Sequence, residues 1–472
     1  MEAICGRALR AIVPGPGERR RVLRLAEGLK GRVAAEAERR GLGVEVEVGG
    51  SVAKDTWLSG DVDLDVFMVF PKDFGRERLE GAALGVAEAA VEGWPWVKRF
   101  AEHPYLEAIV DGVRVNIVPC YRVRRGEWVS AADRSPFHTE YVKGRLGQRD
   151  LRGEIRLLKR FMKGTEVYGA EIRVGGFSGY LCEVLTLNYG SFVETLEAAS
   201  GWQRGEVVDV EGFYGGKLEE ARVLFDSPLI VVDPVDRNRN AAAAVSEEKA
   251  AEFVMACRSF LEEPREALFF PPDVKPLSVN ELKDALKRRG TETVFLTFGG
   301  VDAVPDVLWG QLYKSLRSIK RLMKQYGFGV VRGAVWSDEK TFNVLLIEFE
   351  TSVLSRIRKH TGPKAFSSSV DRFLERHVGA EDTVAGPWVE EGRWVVAVER
   401  QYRDAVSLLK DKLKDGGRSV GVASRLVKGV KGSLKILLNE EVTPTYSSNL
   451  EFAKFLSSYL VAEPSWLSGK SR

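Results

Sequence analysis

The chain has 472 residues, of which 44% are hydrophobic and 29% charged, with a formal net charge of +3 at pH 7. That length exceeds what one hydrophobic core supports and the composition excludes a disordered chain, so about two to four globular domains are expected. The apolar runs at 66–70 and 344–349 are far shorter than a bilayer needs, and the N-terminus turns basic without a secretory apolar stretch, so a cytoplasmic protein that spans no membrane is expected.

Four cysteines, Cys5, Cys120, Cys182 and Cys257, show no paired spacing, which argues against a zinc knuckle or a disulfide framework. Residues 17–41 carry Val22, Leu23, Leu25, Ala26, Leu29, Val33 and Ala34 at helical spacing with Lys and Arg between them, an amphipathic first helix. Valine then alternates with glutamate through Val44-Glu45-Val46-Glu47-Val48 before Gly49-Gly50-Ser51, a strand that ends at a turn. A second strand covers 62–70 and stops at Pro71, and a helix covers about 77–91. A hairpin pairs 106–110 with 113–118 across Asp111-Gly112, a strong turn dipeptide. The first region is thus a mixed sheet with covering helices. From about residue 150 the pattern is helical, over 154–162 and 177–196, followed by a short buried strand at 229–232 leading to Asp233-Pro234. A further helix starts near Ser246, with Glu247 and Glu248 suiting its dipole, and ends before Pro264. Pro264, Pro271, Pro272 and Pro276 mark a linker. Beyond it, strand 293–297, helix 312–325 and strands 330–336 and 343–349 predict a small α/β sandwich of ferredoxin-like order.

The most informative stretch runs from Gly50-Ser51 through Lys54 to Asp61-Val62-Asp63-Leu64-Asp65. A strand, a Gly-Ser turn and a helix start aim unpaired N–H groups and a hydroxyl at phosphate oxygens. Asp63 and Asp65, two apart on a strand, share one face, and two such carboxylates beside a phosphate site suit Mg²⁺. Asp61 has the same parity but sits at the strand entry after Gly60. A solvated acidic hairpin does not explain why both carboxylates share a face in a strand otherwise built of Val, Leu and Phe. The combination matches the signature of the DNA-polymerase-β-type nucleotidyltransferases. That superfamily needs a third carboxylate on a neighbouring strand, where this chain reads Val113-Arg114-Val115-Asn116-Ile117-Val118-Pro119-Cys120-Tyr121. Asn116 keeps the shape and one carbonyl oxygen of an aspartate but loses its charge and basicity, a loss that lowers rates by roughly two to four powers of ten. Nucleotide binding with poor turnover is the expectation, and Asp111 is no substitute because it occupies the hairpin turn. Two origins fit Asn116, a deliberate Asp-to-Asn change that traps a complex and a natural paralogue that has lost its chemistry, and the intact surrounding motif favours the first.

Over most of its length the chain resembles the class I CCA-adding enzymes of archaea. The stretches that carry the resemblance are Ala101-Glu102-His103-Pro104-Tyr105, Asp133-Arg134-Ser135-Pro136-Phe137-His138, Leu157-Leu158-Lys159, Tyr168-Gly169-Ala170-Glu171, Gly176-Phe177-Ser178-Gly179-Tyr180-Leu181-Cys182-Glu183 and Asp233-Pro234-Val235-Asp236-Arg237-Asn238-Arg239-Asn240. The resemblance implies a multidomain α+β protein. Its parts would be a nucleotidyltransferase head (1–142), a mainly helical nucleotide-recognition neck (143–263), a ferredoxin-like α/β body (264–355 and 433–472) and a basic helical tRNA-binding tail (356–432). It implies template-independent addition of C, C and A from CTP and ATP to the tRNA 3′ end, with Asp63, Asp65 and Asn116 as the catalytic and Mg²⁺-holding set. Gly50, Ser51 and Lys54 would meet the triphosphate, although Lys54 stands where the family shows arginine and offers no bidentate fork. Lys159 and Tyr168 would hold phosphate and sugar, and His103, Ser135 and His138 would line the nucleotide pocket. Arg239, with Asn240 beside it, would read the base. The tail would grip the acceptor stem and upper half of tRNA, in keeping with the cations Arg403, Lys410, Lys412, Lys414, Arg418, Arg425, Lys428, Lys431 and Lys435 between residues 401 and 439. A homodimer is compatible with the sequence. Two other readings stay open: a catalytically silent paralogue that binds structured RNA, and a poly(A)-type nucleotidyltransferase. Nucleotide incorporation by the Asn116→Asp form separates the silent binder from the enzyme, and an assay with all four triphosphates separates the two enzymes.

Overall fold

The computed structural model describes residues 1–100 and 103–467 and falls into two compact units, Met1–Asp273 together with the chain from Pro464, and Val274–Glu463. Ala101 and Glu102 of the stretch before Pro104 lie outside the described residues. Among the described residues no helix is long and apolar enough to cross a membrane.

The first unit opens with α1 (Glu2–Ile12) and α2 (Pro16–Arg39). Next come β1 (Glu45–Gly49), the short α3 (Gly50–Lys54), β2 (Asp63–Phe70) and α4 (Arg76–Ala90). They are followed by β3 (Trp96–Phe100), β4 (Pro104–Val110), β5 (Val113–Tyr121) and α5 (Arg134–Gln148). The sheet order is β1-β2-β5-β4-β3, parallel only at the central β2·β5 pair. Period-two alternation gives this sheet two different faces. Leu64, Val66, Met68 and Phe70 of β2, with Leu106, Ala108, Val115 and Ile117, pack under α2 and α4. The opposite face carries Asp63 and Asp65 near the strand entry, then Phe67 and Val69 against Cys120. The expected first helix is α2; α1 precedes it and buries Ala8 and Ile12 in the helical core that follows.

That core is built by α6 (Arg152–Gly164), α7 (Gly179–Tyr189), α8 (Phe192–Ser200) and α10 (Glu247–Glu262). Between α8 and α10 lie β6 (Glu206–Asp209), α9 (Leu218–Phe225), β7 (Leu229–Asp233) and β8 (Asp236–Asn240). Phe161 is ringed by Phe192, Phe253, Phe260 and Phe269 at centroid distances of 5.6 to 6.4 Å. The single helix expected over 177–196 is two helices. Gly190 takes φ 97°, which ends α7, and the Ser191 side chain accepts the Glu194 N–H to start α8.

The second unit begins with α11 (Val279–Arg288), β9 (Glu292–Phe298), α12 (Pro305–Gln325), β10 (Val330–Ser337) and β11 (Asn343–Phe349). An inserted three-stranded sheet follows, made of β12 (Ile357–Lys364), β13 (Thr383–Glu390) and β14 (Arg393–Glu399) in the order β12-β14-β13, with α13 (Val370–His377) between its strands. Then come α14 (Ala405–Leu413), α15 (Val427–Ser433), β15 (Lys435–Leu438), α16 (Thr443–Ser448) and α17 (Leu450–Val461). The larger sheet runs β10-β11-β9-β15 with antiparallel neighbours, the βαββαβ order expected from the sequence. The stretch expected to be a basic helical tail therefore starts as a sheet, and its helices α14 and α15 pack back onto the larger one.

Helix α6 fixes the loop between α3 and β2. Arg152 donates to the Lys54 carbonyl at 3.2 Å, Arg156 to the carbonyls of Asp55 and Trp57 at 2.5 and 2.9 Å, and Lys159 to the Thr56 carbonyl at 3.2 Å. Lys163 pairs with Asp61. These cations recur along one helix face, so the stripe that sequence alone could assign to solvent is a row of latches on the loop. At its centre lies Glu183 of α7, 1% exposed, which accepts from Lys54 Nζ at 2.5 Å, Lys159 Nζ at 2.9 Å and Thr56 Oγ1 at 2.5 Å. Burial opposes ionisation of Glu183, but Lys159, Lys54 and these hydrogen bonds outweigh it and hold its carboxyl at about 2.

Replacing Glu183 by Gln leaves two buried ammonium groups without a counter-ion. Denaturant unfolding of the variant is expected to lose about 3 to 5 kcal/mol relative to the unmodified protein. Because the folded-state pKa is depressed, the Glu183 contribution is complete above its unfolded value near 4.5 and is lost as pH falls toward about 2. The stability gap between the two proteins should therefore be constant from pH 5 to 7 and narrow only in acid.

Candidate active site

β1 ends at Gly49, and Gly50 turns the chain with φ 62° into α3. Gly49 pairs with Asp65 across β1·β2. A Cβ on Gly50 would lie 1.9 Å from Asp65 Oδ2, so only glycine lets the turn close on that carboxylate. Ser51 follows in the first turn of α3, as the sequence predicts.

Asp63 and Asp65 share the face of β2 turned away from α2 and α4. Asn116 is the register partner of Asp65 on β5, and its Nδ2 donates to Asp65 Oδ1 at 3.0 Å. The third position of the set is thus filled, but by a donor where the two neighbouring positions accept. Burial pushes the Asp65 carboxyl above its ordinary range; the Asn116 bond opposes the shift and the Asp63 charge adds to it. Asp63 is half exposed and lies 3.6 Å from Arg114 Nη1. Burial and the charges of Asp61 and Glu107 raise its carboxyl against that arginine. Asp61 is turned onto Lys163 and away from this pair. Among the described residues no three His, Cys, Asp or Glu side chains stand close enough to hold a metal ion. The donor set nevertheless fits a hard divalent cation: two carboxylates on one face, an amide oxygen beside them and a glycine turn that brings backbone against one carboxylate.

A second group of the expected residues converges at the start of α7. A Cβ on Gly179 would lie 2.8 Å from Tyr168 Oη and 3.7 Å from Lys159 Nζ, so this glycine leaves open a notch edged by both. Lys54 and Lys159 meet there through Glu183, and Lys54 Nζ also stands 5.9 Å over the Tyr180 ring. The Tyr180 ring stacks on His138 at 3.9 Å. Asp233, fully buried at the end of β7, accepts from His138 Nε2 at 2.9 Å, Tyr180 Oη at 3.0 Å and Arg239 Nη1 at 2.5 Å. These partners, with the Val235 N–H, overcome burial and hold its carboxyl at about 2. Arg239 is therefore fixed at one end while its side chain remains 38% exposed.

Three expected residues stand differently. Asn240 spends its amide on the backbone, with Oδ1 accepting from Val231 and Ala242 and Nδ2 donating to Leu229, each at 2.9 Å. His103 is buried edge-on to Tyr121 and 3.9 Å from Glu80, with neither ring nitrogen hydrogen-bonded, and it touches neither convergence of site residues. Ser135 lies in the first turn of α5, where its carbonyl accepts from Thr139. Sequence reading passed over the roles of Glu183 and Asp233, which hold the lysines and Arg239 in place. A lone acid among Leu181, Cys182, Val184 and Leu185 was the available signal for Glu183.

Comparison with known proteins matches family domains along most of the chain. Residues 31–142 match the nucleotidyltransferase domain family, 153–270 the second domain of tRNA nucleotidyltransferases and 289–431 the C-terminal domain of CCA-adding enzymes. The chain is 38% identical to the CCA-adding enzyme of Methanosarcina barkeri over 86% of its length and 88% of that protein. It is 35% identical to that of Methanosarcina mazei over 92% and 93%, and 36% identical to that of Methanothermobacter thermautotrophicus over 96% of each chain. Matched from end to end by such relatives, and folded around a nucleotidyltransferase sheet, the chain belongs to the CCA-adding enzyme family.

Proposed function

We propose that the protein transfers CMP and AMP from CTP and ATP to the 3′ end of tRNA, with Mg²⁺ at Asp63 and Asp65. The observation that carries this reading is the placement of those two carboxylates on one face of β2, against the Gly50 turn. In the reaction the RNA 3′-hydroxyl gives up its proton to solvent, its oxygen bonds to the α-phosphorus, the bond from that phosphorus to the bridging oxygen of the β-phosphate breaks, and pyrophosphate leaves. Bound at this face, a divalent cation supplies charge neutralisation at the α-phosphate and lowers the basicity needed of the 3′-oxygen. The remaining work falls to side chains that position and neutralise. Ser51 and the N–H groups at Gly50 meet the triphosphate, Tyr168 presents a hydroxyl at the Gly179 notch, and Lys159, whose ammonium is held by Glu183 and Thr56, contributes charge from beneath it. Lys54 contributes charge from behind the turn. Arg239, held by Asp233 beside the His138–Tyr180 stack, presents a planar fork to the base. His103 and Ser135 keep the parts of the pocket wall that the family resemblance gives them, while Asn240 braces β7 and β8 under Arg239.

We assign the acceptor tRNA to the second unit, dividing the chain into head, neck, body and tail at the boundaries read from the sequence. Arg403, Lys410, Lys414, Arg418, Arg425, Lys428, Lys431 and Lys435 are exposed. A cavity of 510 Å³ in the inserted sheet is lined by Arg358, His360, Arg372, Arg376 and His377. Among the described residues the three arginines pair with no acid, and the buried His377 leaves its Nδ1 without a partner. A concentration of exposed cations, of which Lys414 pairs with Asp411, supports a polyanionic partner.

Two experiments test the reading. Incubation with tRNA lacking its 3′ CCA and each of the four triphosphates should incorporate C and A and exclude G and U, and Asp65→Asn should lower incorporation by about a hundredfold or more. Incorporation of A alone, in long runs, would instead support the poly(A)-type enzyme, and binding of tRNA without incorporation would support the silent paralogue. In the second experiment, Arg372→Ala with Arg376→Ala should weaken tRNA binding and reduce the slope of log affinity against log salt by about one for each arginine that neutralises a phosphate. CTP binding should be unchanged, and an unchanged tRNA salt slope would remove this cavity from the RNA interface.

A further inference from the structure

We propose that Glu107 of β4 supplies the third carboxylate that β5 lacks at Asn116. The proposal rests on the nucleotidyltransferase reading of Asp63 and Asp65 and goes beyond it by naming a residue on a different strand. Two registers place it. In the β4·β5 hairpin Val110 pairs with Val113, Ala108 with Val115 and Glu107 with Asn116. In the parallel β2·β5 pair Asn116 is the partner of Asp65. Asp65, Asn116 and Glu107 therefore form one row across three neighbouring strands. Directly paired residues point to the same face, so all three side chains lie opposite the layer formed by Leu106, Ala108, Val115 and Ile117 under the helices.

Distance and chain length favour the assignment. Strands lie about 4.8 Å apart, which puts the Glu107 backbone roughly 10 Å from that of Asp65. An aspartate on β4 would fall short of a cation bound by Asp65. A glutamate carries one more methylene, and metal–oxygen bonds of about 2 Å shorten the remaining gap. Asn116, short and neutral, stands between the two acids without repelling either. A third carboxylate at Asn116 would have crowded three like charges along adjacent positions, whereas an acid on the next strand restores the charge of the set with more separation.

On that face the Glu107 side chain leans away from Asn116 toward β3. Its Oε1 accepts from Arg99 Nη2 of β3 at 2.8 Å, with side-chain exposures of 19% and 29%. This partner explains why three acids are not gathered around one point. Asp63 is treated alike by Arg114 at 3.6 Å. Each outlying acid thus faces an arginine of the same sheet, and a cation arriving at the face competes with those arginines for the carboxylates.

The experiment uses the full chain and two readouts, Mn²⁺ binding followed by electron paramagnetic resonance without nucleotide or RNA, and single-turnover CMP addition. Glu107→Gln is expected to weaken Mn²⁺ binding by about tenfold and to slow CMP addition by about a hundredfold with little change in tRNA binding. Adding Asn116→Asp to Glu107→Gln should restore both, because the charge returns one strand away. Arg99→Gln removes the competing cation and should leave Mn²⁺ binding equal or tighter. The proposal is overturned if Glu107→Gln binds Mn²⁺ like the unmodified protein, if Asn116→Asp fails to rescue it, or if Arg99→Gln reproduces its loss of binding, which would mark the ion pair as structural. Should Glu107→Gln fail to fold, Glu107→Asp in the same Mn²⁺ assay replaces it, with weakened binding expected and unchanged binding overturning the assignment. A protein that binds Mn²⁺ through Glu107 yet adds no CMP would sink the tRNA reading and leave this one standing; one that adds CMP equally well with and without Glu107 would do the reverse.

Discussion

The catalytic face depends on one buried carboxylate shared by two lysines. Glu183 lies on α7, Lys54 ends the short helix after the glycine turn and Lys159 lies on α6. A five-residue helix has little intrinsic stability, since helix nucleation is unfavourable and propagation adds only one bond per residue. Its position must therefore be imposed from outside. The imposing groups are Glu183 at its last residue and the α6 cations on the carbonyls that follow. Two lysines on one carboxylate leave a net positive charge inside the protein, a few residues from the turn where a triphosphate would sit. The same triad thus holds the turn and biases it toward anions.

This arrangement also explains why a lysine can stand at residue 54. An arginine would use its fork on phosphate or on a carboxylate, in a plane fixed by its geometry. The lysine ammonium has three rotatable donors and reaches Glu183 at 2.5 Å while lying over the Tyr180 ring. Its hydrogen bonding is directed inward. Its charge is still felt at the turn, because a low-dielectric interior transmits charge further than water does.

Much of this was legible in the sequence, for physical reasons that differ by element. Alternation in β2 and in the β4·β5 hairpin fixed which residues face the core, because a one-residue slip would turn Leu64 and Val66 outward and Asp65 inward. The ferredoxin-like order followed from strong periodicity in β9, α12, β10 and β11. Helix α1 and strand β3 escaped because each is short and carries Arg or Lys among its apolar residues, and only the packing of Ala8 and Ile12 makes α1 an element of the core. In the tail, β13 contains Gly386-Pro387 and charged neighbours, which reads as a loop until β14 pairs with it. For the site, alternation placed Asp63 and Asp65 on the face of β2 away from the helices. What local spacing could not show was which partner each charge takes. Lys159 is buried although its helix looks solvated, and Asn240 turns to backbone although it neighbours Arg239.

Partner choice is also what gives the cation-free face its balance. Asp61 rests on Lys163, Asp63 near Arg114, Glu107 on Arg99, and Asp65 accepts from Asn116. Every acid of the face meets a donor from a different element, which offsets part of the repulsion that Asp61 and Glu107 exert on Asp63 and Asp63 on Asp65. Such pairs are weak where they are exposed and screened, as at Asp63, and stronger where burial removes water, as at Asp65. The β2·β5 pairing locks the sheet beneath these side chains, so the balance of the face is set by the partner each side chain takes.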